Sequence, residues 1–561
     1  MKEEIQRLVA HSLETLRKES DIVDFDIEIE VDTPKKREFG DFSTNIALIL
    51  AKKLGKKPRE VAELIIQNLP GESKNTLKRV EIAGAGFINF FIQEEAVINK
   101  LPEIEKLGDS FGWSTFGNRV KVIVEFVSAN PTGYLHMGHA RNAAVGDAIS
   151  NILSASGFHV TREFYINDAG RQMELLGLSV YRKYQELFGI NEEMPEDGYH
   201  GDYIREIASQ IKDETGKGLV AVENNEQESI DYCREYAENR LMQEIKRDLN
   251  ALGVKFDNWY SEREKIYAPM SELGGENKLS VIKNKLNELG ALEERDGALW
   301  FKASNFGDSQ DWVLVKRDGS PTYLLSDIAY HYDKIQRGFK RLINVWGADH
   351  YSHVARLKAA LRALEADDSS LQVVLIQFVR LVKEGKEISM SKRAGSYITM
   401  REVIEEVGCD VMRFFLLMRS SEAHLDFDLD LAKKESSENP VYYIQYAHAR
   451  VGSVFEKARE RGLAPSEDFL NLLSLPEEIE IMKKLLAFPE VVTDSAISLS
   501  PHKIAFYLQE IASDFHIYYN KNRVIGDDPK LSSARLYFIG CIKTVIKNGL
   551  RLLGVSAPER M

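Results

Sequence analysis

The sequence predicts an α/β protein of several domains: a doubly wound parallel sheet with a helix-rich insertion, set between a small N-terminal α+β domain and a C-terminal all-helical bundle. Three observations carry that reading. Apolar, β-branched runs alternate with helical periodicities from Val120 to about Leu417, the pattern of a parallel sheet wrapped by helices. Beyond about residue 435 strand signals fade and only helical stripes remain. At 561 residues the chain also exceeds what one ordinary core organises. The expected divisions are 1–115, then 116–420 with the insertion at about 170–295, a connector at 421–438, and the bundle at 439–561.

The totals narrow the class. A composition of 44 % hydrophobic and 29 % charged residues is that of a globular chain. A net charge of −14 argues against a protein that coats nucleic acid non-specifically, but leaves room for local basic patches. Cys233, Cys409 and Cys541 are widely separated and fit no zinc spacing, so neither disulfides nor a bound metal is expected. The opening M-K-E-E-I-Q-R lacks the apolar core of a signal peptide, and no run approaches the roughly 18 apolar residues of a membrane span. The cytoplasm is the expected compartment, with no membrane partner.

Residues 1–20 carry Ile5, Leu8, Val9, Leu13 and Leu16 on one helical stripe. Phe25, Ile27, Ile29 and Val31 alternate as in a half-buried strand. A helix is expected near 44–53 and another after Pro58, and Arg79–Ile92 reads as two short strands around a Gly turn. The cluster Lys52, Lys53, Lys56, Lys57 and Arg59 is a solvated face on charge alone, or a basic patch if the chain reads RNA.

Central strands are expected at 120–126, 159–166, 342–346 and 372–379. The stretch 125–141, E-F-V-S-A-N-P-T-G-Y-L-H-M-G-H-A-R, joins the first strand to a helix marked by Ala140, Ala143, Ala144, Ala148, Ile149, Ile152 and Leu153. His136 and His139 therefore share one face of a helix start, where anions bind, and Gly138 lets a ligand approach the backbone. At Asp318-Gly319 the chain turns between D-W-V-L-V and P-T-Y-L-L, a hairpin-like signal. Farther on, Tyr442–Arg461 is a helix with Gly462 past its end, and stripes follow at Ile479–Leu486, Ile504–Phe515 and Ile539–Ile546.

Taken alone, H-x-G-H is a short pattern, and E-I-S-M-S-K-R at 387–393 is a polar run that most often holds only an exposed lysine. Together, in one α/β domain, they resemble the two signatures of the class I aminoacyl-tRNA synthetases, usually written HIGH and KMSKS. The first stands as His136-Met137-Gly138-His139 and the second as Ser389-Met390-Ser391-Lys392-Arg393, with Ser in place of its first Lys and Arg in place of its last Ser. The stretch at 125–141, F-Y-I-N-D-A-G-R-Q at 164–172, P-T-Y-L-L-S-D-I-A at 321–329, G-A-D-H at 347–350, N-P-V-Y-Y-I-Q-Y-A-H-A-R at 439–450 and the ending L-R-L-L-G-V-S-A-P-E-R-M are similar to the arginyl-tRNA synthetases along the whole chain.

The resemblance implies a Rossmann-like catalytic domain, ATP as co-substrate with Mg²⁺, and L-arginine and tRNA(Arg) as partners of a monomer. ATP would meet His136, Gly138, His139, Met390, Ser391 and Lys392, with His136, His139 and Lys392 catalytic. Arginine would meet Glu125, Asn130, Tyr323, Asp327 and His350, the last standing where the family often has Gln. A guanidinium independently calls for fixed acceptors and a carboxylate, which these residue types supply. The C-terminal bundle would bind the anticodon, with Tyr442, Tyr446, Arg450 and Met561 as candidates, and the N-terminal domain would reach the tRNA elbow. Activation is expected to need bound tRNA. A class I ligase for another amino acid and a non-catalytic RNA-binding relative are the competing readings.

Overall fold

Five parallel strands form the central sheet of this computed structural model, which describes residues 1–19, 27–34, 36–220, 225–388 and 398–561. In chain order the central elements are β1 (Lys121–Glu125), α1 (Met137–Ala155), β2 (His159–Ile166), β3 (Asn258–Ser261), α2 (Tyr323–Gln336), β4 (Arg341–Gly347), α3 (Tyr351–Ala363) and β5 (Leu371–Ile376). The strand order is β5-β4-β1-β2-β3, and every pairing is parallel. From β1 the chain passes through α1 to β2 on one side, while β4 lies on the other. Such a reversal opens a crevice at the carboxyl ends of the strands.

Alternation along the strands assigns the two faces. Val122, Val124, Ile343 and Val345 join the core built on α1, whereas Ile123 and Leu342 join the core under α2 and α3. Ala140, Ala143, Ala144 and Ala148 are fully buried, so α1 lies close against the sheet. Gly146 takes this furthest, because a Cβ there would stand 2.2 Å from the Phe126 ring.

Three local expectations change. The strand expected at 372–379 breaks after Ile376, because Gln377 N donates to Ser421 O at 2.9 Å and turns the chain out of the sheet. Val379–Lys383 (β6) then pairs antiparallel with Lys386–Ile388 (β7) and parallel with Leu425–Asp428 (β8) in a second, small sheet. The turn at Asp318-Gly319 forms, with Lys316 N donating to Ser320 O at 2.9 Å and Thr322 N to Leu314 O at 2.8 Å. The pairing stops at a Val315–Pro321 bridge, however, and P-T-Y-L-L becomes the start of α2, whose Leu324, Leu325, Ile328 and Ala329 are buried. Ile27–Val31 form no strand either, since Gln6 Nε2 donates to Ile29 O at 2.9 Å and Thr44 Oγ1 to Glu30 O at 2.6 Å. Phe25 lies outside the described residues.

The helix-rich stretch after β2 contains helices Arg171–Glu186, Asp202–Thr215 and Glu226–Ala251, which share their own core of Met173, Leu176, Tyr184, Ile207 and Leu241. It also contains β3, so the edge of the central sheet is built from within it. The N-terminal region sets helices against a three-stranded antiparallel sheet with Phe87–Ile92 in the middle. The C-terminal region is helical, beginning with α4 (Pro440–Glu460), whose start is capped by Asn439 Oδ1 accepting from Val441 N at 3.2 Å. The stripes expected at Ile479–Leu486, Ile504–Phe515 and Ile539–Ile546 are buried.

Arg413 joins these parts. Its guanidinium is fully buried and donates to Leu252 O at 2.9 Å, Leu553 O at 3.0 Å and Asp147 Oδ2 at 2.5 Å, linking the insertion, the C-terminal bundle and α1. Removing one partner of a buried pair leaves an uncompensated charge and costs about 3–5 kcal/mol. Arg413→Met is therefore expected to lower the unfolding free energy by about that much, read from urea denaturation. A change below about 1 kcal/mol would show that the junction does not depend on this side chain.

Candidate active site

The backbone at the end of β1 is held out of its comfortable range. Val127 and Ser128 have φ of 67° and 40°, and a β-branched residue rarely adopts such values. Side chains hold them there: Val127 N donates to Asn142 Oδ1 at 2.7 Å, and Ser128 Oγ donates to Glu125 Oε1 at 3.0 Å while accepting from Tyr165 N at 3.2 Å. The strained turn carries the chain over the crevice to the start of α1.

His136 is the N-cap of α1. Gly138 N donates to His136 Nδ1 at 3.1 Å, and His136 N donates to His139 Nδ1 at 3.3 Å. The rings stack 3.8 Å apart at 20°. An Nδ1 that accepts leaves the proton of a neutral imidazole on Nε2, so both rings carry their N–H on that atom. A Cβ at Gly138 would meet His136 Cε1 at 3.0 Å, so glycine is what lets the first ring lie over the helix start. Paired imidazole donors at the positive end of a 19-residue helix suit a phosphate chain.

Carboxylates floor the other half of the crevice. Glu125 is 5 % exposed, and the sealed ammonium of Lys334 on α2 donates to its Oε2 at 2.6 Å and to Asn344 Oδ1 at 3.1 Å. Asn344 Nδ2 donates in turn to His331 Nε2 at 2.7 Å, and His331 Nδ1 donates to Asp327 O at 2.7 Å. Burial pushes the His331 pKa well down, so the ring stays neutral in this network.

Asp327 stands on α2 with a third of its side chain open. Desolvation pushes its carboxyl up to about 8, with repulsion from Glu125 and Glu262 adding to the rise. Glu262, just past β3, is 3 % exposed, and burial pushes it up to about 7 against hydrogen bonding from Ser326. Three carboxyl groups thus crowd one end of the crevice. Among the described residues Glu125 alone of the three has a buried cation of its own, while Lys334 and Arg356 only partly offset the rise at Asp327. Tyr323, a turn before Asp327, is 57 % exposed at its rim.

The other expected residues divide. Asn130 Nδ2 donates to Gln172 Oε1 on the far wall. His350 is turned out beside Asp349, 3.6 Å away, while His353 approaches Asp327, with its Nδ1 at 3.8 Å. Met390, Ser391 and Lys392 lie outside the described residues. On α4, Tyr442 and Tyr446 stack at 6.1 Å and 18°, and Arg450 donates to Tyr446 Oη at 2.8 Å and lies over the Tyr446 and Tyr519 rings. Met561 is half exposed. Among the described residues no group of three or more His, Cys, Asp or Glu could hold a metal ion.

Three contributors escaped the sequence reading. Lys334 stands seven residues after Asp327, two helical turns along α2, and that spacing was the available signal. Glu262 sits in a charged S-E-R-E run inside the presumed insertion, where nothing marked it as buried. His353 lies three residues beyond the expected His350.

Comparison with known proteins agrees with this arrangement. The family model for "tRNA synthetases class I (R), catalytic domain" matches residues 108–416, that for the arginyl tRNA synthetase N terminal domain matches 3–92, and that for the DALR anticodon binding domain matches 444–561. The chain is 45 % identical over 565 aligned residues to an arginine–tRNA ligase of Geobacter sp. strain M21, covering 100 % of both chains. It is 48 % identical over 538 residues to that of Syntrophotalea carbinolica, covering 95 % of each. Its fold matches the Thermus thermophilus arginyl-tRNA synthetase with a TM-score of 0.76 at 22 % identity, covering 100 % of both chains. Catalytic-domain match, relatives and fold together establish that the chain belongs to the arginyl-tRNA synthetase family of class I aminoacyl-tRNA synthetases.

Proposed function

We propose that the protein joins L-arginine to tRNA(Arg) in two steps, with the residues of the crevice in separate roles. The arginine carboxylate attacks the α-phosphorus of ATP in line. The bond from that phosphorus to the bridging oxygen breaks, pyrophosphate leaves, and arginyl-adenylate remains. The 2′-hydroxyl of the terminal adenosine of the tRNA then attacks the activated carbonyl and releases AMP. The observation that carries the amino-acid half is the carboxyl cluster, in which Asp327 and Glu262, both raised in pKa by burial, stand beside the Lys334-paired Glu125.

Asp327 and Glu262 offer acceptors to the planar fork of a guanidinium, with the Tyr323 hydroxyl at the rim. A compact ammonium cannot reach acceptors spaced for a fork, which disfavours lysine. Glu125, already neutralised by Lys334, and Asn130 face the α-amino end, and His350 or its neighbour His353 closes the wall above Asp327. On the ATP side the Nε2–H groups of His136 and His139 donate to phosphate oxygens, and Gly138 lets them lie close. Met390, Ser391 and Lys392 belong to the second signature, whose lysine supplies charge as pyrophosphate departs. Removing one such donor typically costs about 2.7–4 kcal/mol of barrier. Mg²⁺ enters as the companion of ATP, whose phosphates it neutralises.

Tyr442, Tyr446 and Arg450 present stacked rings and a guanidinium of the kind that holds splayed anticodon bases, and Met561 lies at the same end of the chain. The N-terminal domain serves the tRNA elbow, and tRNA binding precedes activation. The protein works as a monomer in the cytoplasm, where its substrates are.

Charging of tRNA with each amino acid in turn tests the assignment. Arginine is expected to give aminoacyl-tRNA, and arginine-dependent pyrophosphate exchange is expected only with tRNA present. Product with another amino acid and none with arginine would remove the specificity reading. Within the pocket, Asp327→Asn is expected to raise the arginine KM about 30-fold or more, the loss for truncating one partner of a buried charge pair, with little change in the KM for ATP. Equal rises in both would place Asp327 outside the arginine site.

A further inference from the structure

The residues that lead into α1 are held by a segment more than 260 positions away in the chain. Thr399 forms an antiparallel bridge with His136, and Met400 N donates to Leu135 O at 2.8 Å. Thr399 is also the N-cap of the helix Met400–Val407. Its Oγ1 accepts from Glu402 N at 3.2 Å, and Glu402 Oε2 accepts from Thr399 N at 2.7 Å, which fixes the bridging residue to its own helix. Met400 and Val403 of that helix are fully buried in the core built on α1. The backbone from which the His136 imidazole projects is thus paired with the start of a second, packed helix.

Arg401, two residues beyond Thr399, ties this second helix to the insertion. Its Nε donates to Asp248 Oδ1 at 2.9 Å, and its Nη2 lies 2.7 Å from the same oxygen. Asp248 stands in the last turn of the helix Glu226–Ala251 and is 4 % exposed. Among the described residues Arg401 is the one cation in an ion pair with it. A carboxylate buried this deeply is costly without its partner, so the pair holds the two helices in one relation. Four residues farther on, Leu252 O receives the Arg413 guanidinium at 2.9 Å. The end of the insertion helix is therefore fixed to the junction with the bundle on one side and to the segment beside His136 on the other.

We propose that the Arg401–Asp248 pair is a positioning pair for His136, so that the insertion sets where the first phosphate donor of the crevice stands. The proposal rests on the phosphate role assigned above to His136. His139 lies within α1 and is carried by it. His136 is the residue before that helix, where a shift of the Thr399 segment moves its backbone without unwinding a helical turn. A donor displaced by about 1 Å loses much of its effect on the reaction, up to roughly 100-fold. Asp327 and Glu262 stand on α2 and just past β3, outside this series of contacts, so the pair acts on the ATP half of the crevice and leaves arginine binding alone.

A double-mutant cycle tests it in the full-length protein, with tRNA present and arginine-dependent pyrophosphate exchange as the readout. Exchange by the unaltered protein, and its fall by about 100-fold or more in His136→Asn, check the underlying assignment first. Asparagine removes the imidazole while remaining a good helix cap, so a failure at this step is distinct from a failure of the pair. Arg401→Met is expected to lower kcat about 10-fold or more while the arginine KM stays within about threefold. In the His136→Asn background the same change is expected to lower kcat less than about threefold, because the group it positions is already gone. Full additivity of the two losses would overturn the proposal, as would an unchanged kcat in Arg401→Met or a rise in arginine KM matching the fall in kcat. Should Arg401→Met fail to fold, Asp248→Asn weakens the pair while keeping an acceptor in place, and it enters the same cycle. Its kcat loss is expected to vanish in the His136→Asn background, and persistence of that loss would overturn the proposal equally.

Discussion

A lysine sealed from water behind the last residue of a central strand sets the electrostatics of the whole crevice. Lys334 spends its ammonium on Glu125 and Asn344 and lies over the Tyr330 ring. Burying both ions costs several kcal/mol each, offset only by close pairing and further hydrogen bonds. With Glu125 paired from behind, Asp327 and Glu262 have no buried cation of their own among the described residues, and burial raises the pKa of both. The carboxyl-rich end of the crevice is arranged around this one pairing.

Helix α1 organises the other half. Its first turn aims two imidazoles at the space where phosphates fit, and Arg141 a turn later reaches into the sheet beside β6 and β8. Farther along, Asp147 receives Arg413 from the junction with the C-terminal bundle. One helix therefore carries the two imidazoles, the contact with the turns beside β6 and β8, and the contact with the C-terminal bundle. A change at either distant contact reaches His136 and His139 through a single packed element.

Much of this was legible in the residues. Strand β2 begins and ends where the alternation placed it, and the H-x-G-H pattern opens a helix as expected. The turn signal at Asp318-Gly319 holds, but the pairing beyond it stops at Pro321, and Asp327 and Tyr323 share a helical face because Leu324, Leu325 and Ile328 bury in a helix that starts at Tyr323. Strand β3 escaped notice because its four residues owe their place to pairing with β2 and not to local propensity. Lys334, Glu262 and Arg141 escaped for a shared reason. Charged residues read as surface in a sequence, and only the partners supplied by distant segments show that they are buried.

The central claim is that the crevice holds a cation by its carboxyl groups, and proton release on arginine binding tests it most directly. Titration calorimetry of the tRNA-bound protein in buffers of different ionisation enthalpy would count the protons. At a pH of about 7.5, Asp327 near 8 and Glu262 near 7 are together expected to give up roughly one proton as the guanidinium enters, and fewer as the pH rises. Arginine binding with no proton released across that range would contradict the account.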